Sequence, residues 1–94
     1  MPVIAGFVFD DINEDKIGAH GLTTGQVLQI LSNRYIIVRN RRNRRALHLI
    51  IGTDDGGGCI AVPVEKTHDP LMWRPITAWS CKDHERASLF SERG

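Results

Sequence analysis

Trp73-Arg74-Pro75-Ile76-Thr77-Ala78-Trp79-Ser80-Cys81-Lys82-Asp83-His84-Glu85-Arg86 is the stretch on which the fold turns. Its first half, from Trp73 to Trp79, has the aromatic and branched residues that suit a packed, pleated strand. Ser80 has the chemistry of a helix N-cap, and Asp83 three residues later puts an acid in the first turn, where the helix dipole favours it. The reading is a strand within the sheet, a polar turn, and a closing helix from about Lys82 to Arg93. His84, Ala87 and Phe90 are spaced to face one way on that helix. Glu85 and Arg86 then sit at a strand–helix junction, a rigid place to hold functional side chains.

Upstream, Ala46 to Thr53 reads as a strand, with Leu47, Leu49 and Ile51 alternating against His48 and Ile50. Asp54-Asp55-Gly56-Gly57-Gly58 is a strong hairpin turn, because glycine accepts the positive φ that tight turns require. Cys59 to Val64 returns as a strand, in which Pro63 implies an edge or a bulge. Thr67-His68-Asp69-Pro70 is a second turn leading back to Trp73. Tyr35-Ile36-Ile37-Val38 is a further strand. Leu47, Leu49, Ile51, Val62, Ile76 and Ala78 are the expected core.

The first third is helical. Pro2 to Phe9 is an apolar run broken by Gly6, a strand or an ordered arm. Asp10 to Asn13 starts a helix that places Ile17 and His20 on one face, and Gly21 supplies the glycine that closes it. Thr23-Thr24-Gly25-Gln26 has the form of a capping box, and Val27, Leu28, Ile30 and Leu31 follow at helical spacing. The resulting fold class is α+β: a small antiparallel sheet of three to four strands, two N-terminal helices and one C-terminal helix, with the helices on one face.

At 94 residues the chain forms a single domain (1–94) with one modest core. The formal net charge of +1 hides an asymmetry. Asp10, Asp11, Glu14 and Asp15 face only Lys16 in the first 20 residues, whereas residues 34–45 carry six arginines and no acid. Two cysteines, Cys59 and Cys81, are too few for a disulfide framework and form no CxxC pair, so reduced thiols are expected. No signal-peptide pattern or membrane-length apolar run is visible, and the expectation is a soluble, cytoplasmic protein.

Three features could carry chemistry. Arg39, Arg41, Arg42, Arg44 and Arg45 would occupy a solvated loop between strands. Guanidinium groups grip phosphate oxygens bidentately, which suits a nucleic-acid backbone. The same charge also serves a merely solvated hairpin or a contact with an acidic protein. His20 either completes the hydrogen bonding at its helix end or acts as a proton shuttle. Glu85 and Arg86 are candidates for chemistry, or else a solvated first turn. No metal is expected: the four histidines lack zincin spacing, and Cys81 with His84 offers two ligands at best. The glycine turn lacks the lysine and helix of a phosphate-binding loop, and no G-x-S-x-G occurs.

Three blocks resemble the BrnT-type toxins, the ribonuclease half of bacterial toxin–antitoxin pairs, whose fold is related to RelE. They are Asn13 to Thr23, Ile51 to Gly57 followed by Ile60 to Val64, and Trp73 to Ala78 with Glu85-Arg86. The resemblance implies a RelE-like fold, a ribbon-helix-helix antitoxin as partner, and RNA as substrate. It further implies cleavage without metal or other cofactor, through attack of the ribose 2′-hydroxyl on the adjacent phosphate. On that basis His20 or Glu85 would transfer protons, and Arg86 with the Arg39–Arg45 loop would hold charge. Trp79 stands where an arginine often follows the alanine, and Phe90 lies near a common tyrosine position. The alternative is a non-catalytic module of the same fold that binds a partner protein or nucleic acid.

Overall fold

A computed structural model describes residues 4–39 and 48–91. A short strand, β1 (Gly6–Phe7), opens the fold and is followed by helix α1 (Asp11–Ala19). Both ends of α1 are closed by local chemistry. Asp10 accepts from the Asn13 N–H, and Asn13 Oδ1 accepts from the Asp10 N–H, each at 2.9 Å. At the other end Gly21 adopts φ 77°, and the Gly21 and Leu22 amides donate back to Gly18 and Ile17. That pairing is a Schellman closure, with Leu22 packing on the same core as Ile17.

Helix α2 (Thr24–Gln29) has the expected Thr23/Gln26 capping box and tightens into a 3₁₀ turn over Ile30–Ser32. The strands β2 (Tyr35–Arg39), β3 (His48–Thr53) and β4 (Cys59–Lys66) form an antiparallel meander, and β3 and β4 meet at the glycine turn. Gly57 there has φ 85°. Gly52 serves a different end: a Cβ would lie 2.9 Å from Tyr35 Cβ and 3.0 Å from Ile30 Cβ, so only glycine lets the 3₁₀ turn approach the sheet. The chain continues through β5 (Met72–Pro75), β6 (Trp79–Ser80) and helix α3 (Asp83–Ser91).

The sheet is larger than the three or four antiparallel strands expected, and it is mixed. Its order is β1-β5-β4-β3-β2, with β6 also paired to β4. β1 runs parallel to β5, held by Ala5 N–H to the Leu71 carbonyl and Val8 N–H to the Trp73 carbonyl. The Trp73–Trp79 segment is not one strand. Val64 pairs with Pro75 and Ala61 with Trp79, so Val62 and Pro63 face the three residues Ile76, Thr77 and Ala78. This is a β-bulge opposite the proline. The Pro63 carbonyl accepts from Ile76 N–H at 2.8 Å. In an antiparallel strand N–H and C=O of one residue point to the same neighbour, so the donor that Pro63 lacks would face the bulge. The expected edge or bulge is therefore a bulge, against a strand in the middle of the sheet.

Helices lie on both faces, not one. Ile17, Val27 and Ile30 bring α1, α2 and the 3₁₀ turn onto Ile50, Ile60, Val62 and Val64. Leu89 of α3 packs with Ile36, Leu49, Ile51, Cys59 and Ala61. The alternation along β3 and β4 thus feeds two cores, which is why Leu49, Ile50 and Ile51 are all buried. On α3 the buried residues are Glu85 and Leu89, whereas His84, Ala87 and Phe90 face solvent. Of the expected core residues, Leu49, Ile51, Val62, Ile76 and Ala78 are buried, and Leu47 lies outside the described residues.

Candidate functional site

The bulge sets the geometry of the site. After its extra residue the chain rejoins β4 only at Trp79 and Ser80, so the Trp79 ring sits half-buried on a strand two residues long. Ser80 lies in that strand and does not cap α3. The helix begins at Asp83, and the Lys82 carbonyl accepts from Arg86 N–H at 3.0 Å, which puts Lys82 in the N-cap position. Lysine has no acceptor to offer the helix amides. Glu85 supplies half of a capping box in its place, with its Oε1 accepting from Lys82 N–H at 2.7 Å.

The same carboxylate binds Trp79. Its indole Nε1–H donates to Glu85 Oε1 at 3.1 Å and Oε2 at 3.3 Å. Glu85 is only 4% exposed, so its charge is met by donors rather than by bulk water. The carboxylate holds the indole and the start of α3 in one arrangement. Lys82 Nζ lies 5.9 Å from the centre of the Trp79 ring, within reach of a cation–π contact. His20 also stands beside the ring, with ring centroids 6.5 Å apart and planes inclined at 57°. His20 is exposed, caps α1, and donates its backbone N–H to Ile17 and Gly18 carbonyls.

In the core against which Trp79 packs, Cys59 and Cys81 are joined as a disulfide with a Cα–Cα distance of 5.3 Å. This corrects the expectation of reduced thiols. Two cysteines far apart in sequence gave no framework to read, but β6 pairing places Cys81 beside Cys59, where Cys81 N–H also donates to the Cys59 carbonyl at 3.0 Å.

His20 and Glu85 therefore meet at Trp79, and Arg86 is exposed on the next position of α3. Arg39 is exposed at the end of β2, opposite His48, while Arg41, Arg42, Arg44 and Arg45 lie outside the described residues. Trp79, Lys82 and the cysteine pair carried no recognisable signal as partners in the sequence. Their association depends on the bulge and on β6.

A second polar cluster braces β5 and its neighbours on the same side of β4. Arg74 clasps Asp10 through Nε at 2.7 Å and Nη2 at 2.6 Å, and reaches Glu65 Oε1 at 3.5 Å. The Asn13 backbone N–H at Asp10, reinforced by the Arg74 guanidinium, holds the Asp10 carboxyl below its ordinary range. Asn13 is completely buried and donates to the Val8 carbonyl at 3.1 Å and the Pro75 carbonyl at 3.0 Å. These bonds tie α1 to β5 and to the residue that follows β1, a structural role. Among the described residues no three His, Cys, Asp or Glu side chains come together as a metal site, and no helix is long and apolar enough to cross a membrane. No family model matches the chain, and no match is found among curated proteins.

Proposed function

We propose that this protein is a toxin-type endoribonuclease of RelE-like fold that works without metal or cofactor in the cytoplasm. A small antitoxin, of the ribbon-helix-helix class, would hold it in check. The observation that carries this reading is the convergence of His20 and Glu85, 65 positions apart, on one half-buried indole, His20 by its ring and Glu85 by hydrogen bonds to Nε1. An exposed histidine beside a fixed aromatic face gives an RNA base a surface to stack on and places a proton acceptor near its ribose.

In this scheme His20 takes the proton of the 2′-hydroxyl as its oxygen attacks the adjacent phosphorus. The 5′-oxygen leaves and takes a proton from water, giving a 2′,3′-cyclic phosphate and a 5′-hydroxyl end. Arg86, Lys82 and the Arg39–Arg45 segment offset the negative charge that develops on the phosphorane. Glu85 acts as a positioning residue: its oxygens are already engaged by Trp79 and Lys82, so it fixes the platform rather than carrying the proton.

The test is purified chain incubated with single-stranded RNA in EDTA, with the product ends identified. Cleavage to cyclic phosphate is expected, and His20→Ala should slow it by about 10²–10⁴-fold, the usual contribution of a general base. Equal cleavage by His20→Ala would remove His20 from the chemistry. The engaged state of Glu85 favours a second reading, a non-catalytic module that binds RNA or a partner protein through the same face. RNA binding with no cleavage by the parent chain would establish that reading in place of the first.

A further inference from the structure

We infer that the Cys59–Cys81 disulfide is a redox switch that sets the order of the Trp79–Glu85 platform. The inference rests on the proposed function only for what the switch would control. Its physical basis is how little else holds this corner of the molecule. β6 contributes two residues, paired through Ile60–Ser80 and Ala61–Trp79 and prolonged by one bond from Cys81 N–H to the Cys59 carbonyl. α3 has nine residues, too short to persist alone in water, and buries only Glu85 and Leu89. Its first turn has no side-chain acceptor at the N-cap, only the Glu85 carboxylate reaching back. The covalent link lies immediately before that turn: Cys81 joins Ser80 of β6 to Lys82 of the cap.

The two cysteines differ in exposure. Cys59 is buried at 3% exposure, whereas Cys81 is half-buried, so an incoming thiolate meets Cys81 first. A small dithiol is the reductant. Its thiolate attacks Cys81 Sγ, the S–S bond breaks, and Cys59 leaves as a thiolate that takes up a proton. The second thiol of the reagent then loses its proton, attacks the mixed disulfide and releases Cys81. The protein gains two electrons and two protons and becomes a dithiol, while the reagent becomes a cyclic disulfide.

Reduction leaves β3 and the body of β4 untouched, because their order comes from the two cores and the antiparallel ladder. It removes the one covalent restraint on β6 and the α3 cap. The Trp79 indole and the Lys82 amide, both bound to Glu85, should then open more often. In the oxidised protein the indole is presented to ligand; in the reduced protein it is released.

Hydrogen exchange followed by NMR tests this without any assumption about RNA. The full chain is compared in air-oxidised form and after dithiothreitol, with the thiol state read by alkylation and mass. The Trp79 indole signal is assigned with Trp79→Phe. Reduction is expected to speed exchange of the Trp79 indole N–H and Lys82 amide by roughly tenfold or more, while the Ile50 and Val62 amides keep their rates. Reoxidation should restore the slow rates, and the C59S/C81S double variant should show fast exchange in either condition. Unchanged exchange on reduction would overturn the switch. So would loss of protection across β3 and β4 together, which marks a global staple, or two alkylatable thiols in the air-oxidised chain. RNA cleavage is assayed on both forms in parallel. Absence of cleavage in both would count against the proposed nuclease and leave the exchange result standing.

Discussion

Asn13 is the residue on which the first helix depends, and it works by saturation. Its side-chain amide donates to Val8 and Pro75, its carbonyl oxygen accepts from Asp10, and no part of it reaches water. Removing such a group leaves buried carbonyls without donors, which costs more than the bonds themselves contribute. Asn13→Ala should therefore lower stability by about 2–4 kcal/mol, measured by urea denaturation. A loss below half of that range would mean that water replaces the amide at this position. Glu85 differs in what it connects. Both are buried polar residues in a first helical turn, but Asn13 joins backbone to backbone whereas Glu85 holds an indole at the surface.

At the scale of elements, the bulge between β5 and β6 is what separates a structural strand from a functional one. Pro75 ends the paired part of β5, Ile76 turns toward Pro63, and Ala78 is buried before Trp79 emerges. The bulge leaves the Thr77 hydroxyl buried with no hydrogen-bond partner among the described residues, a local cost that the packing of Ile76 and Ala78 must offset. Ile76 is 7% exposed. Ile76→Ala should cost about 2–5 kcal/mol by thermal or chemical denaturation, as expected for a large buried aliphatic. A change under half a kilocalorie would mean that the bulge collapses without strain into the space left behind. The element itself could not be read from Trp73 to Trp79, because each residue there suits a strand and only pairing with β4 reveals one residue too many.

For the molecule as a whole, charge is the property that tests RNA binding. Arg39 is exposed at the end of β2, and Arg41, Arg42, Arg44 and Arg45 follow it in the sequence, outside the described residues. If these arginines grip a phosphate backbone, affinity for single-stranded RNA falls steeply with salt. Changing Arg41 and Arg42 to Ala should then reduce the slope of log affinity against log salt by roughly 0.7 for each phosphate that is no longer neutralised. An unchanged slope, measured at several salt concentrations, would assign the arginines to solvent or to a protein contact. The amino-acid sequence by itself determined the Asp10, Thr23 and Gly21 helix ends and the Asp54–Gly58 hairpin, because each is closed by partners within about five residues. It also determined the α+β class and most of the core, through the alternation of β3 and β4. Only the tertiary structure decided that β1 is parallel to β5, that α3 covers the second face, that Cys59 and Cys81 are joined, and that His20 and Glu85 share Trp79. Those contacts join positions many residues apart, as in the Asn13–Pro75 bond across 62 residues, and no local pattern of side chains encodes which distant groups a folded sheet will bring together.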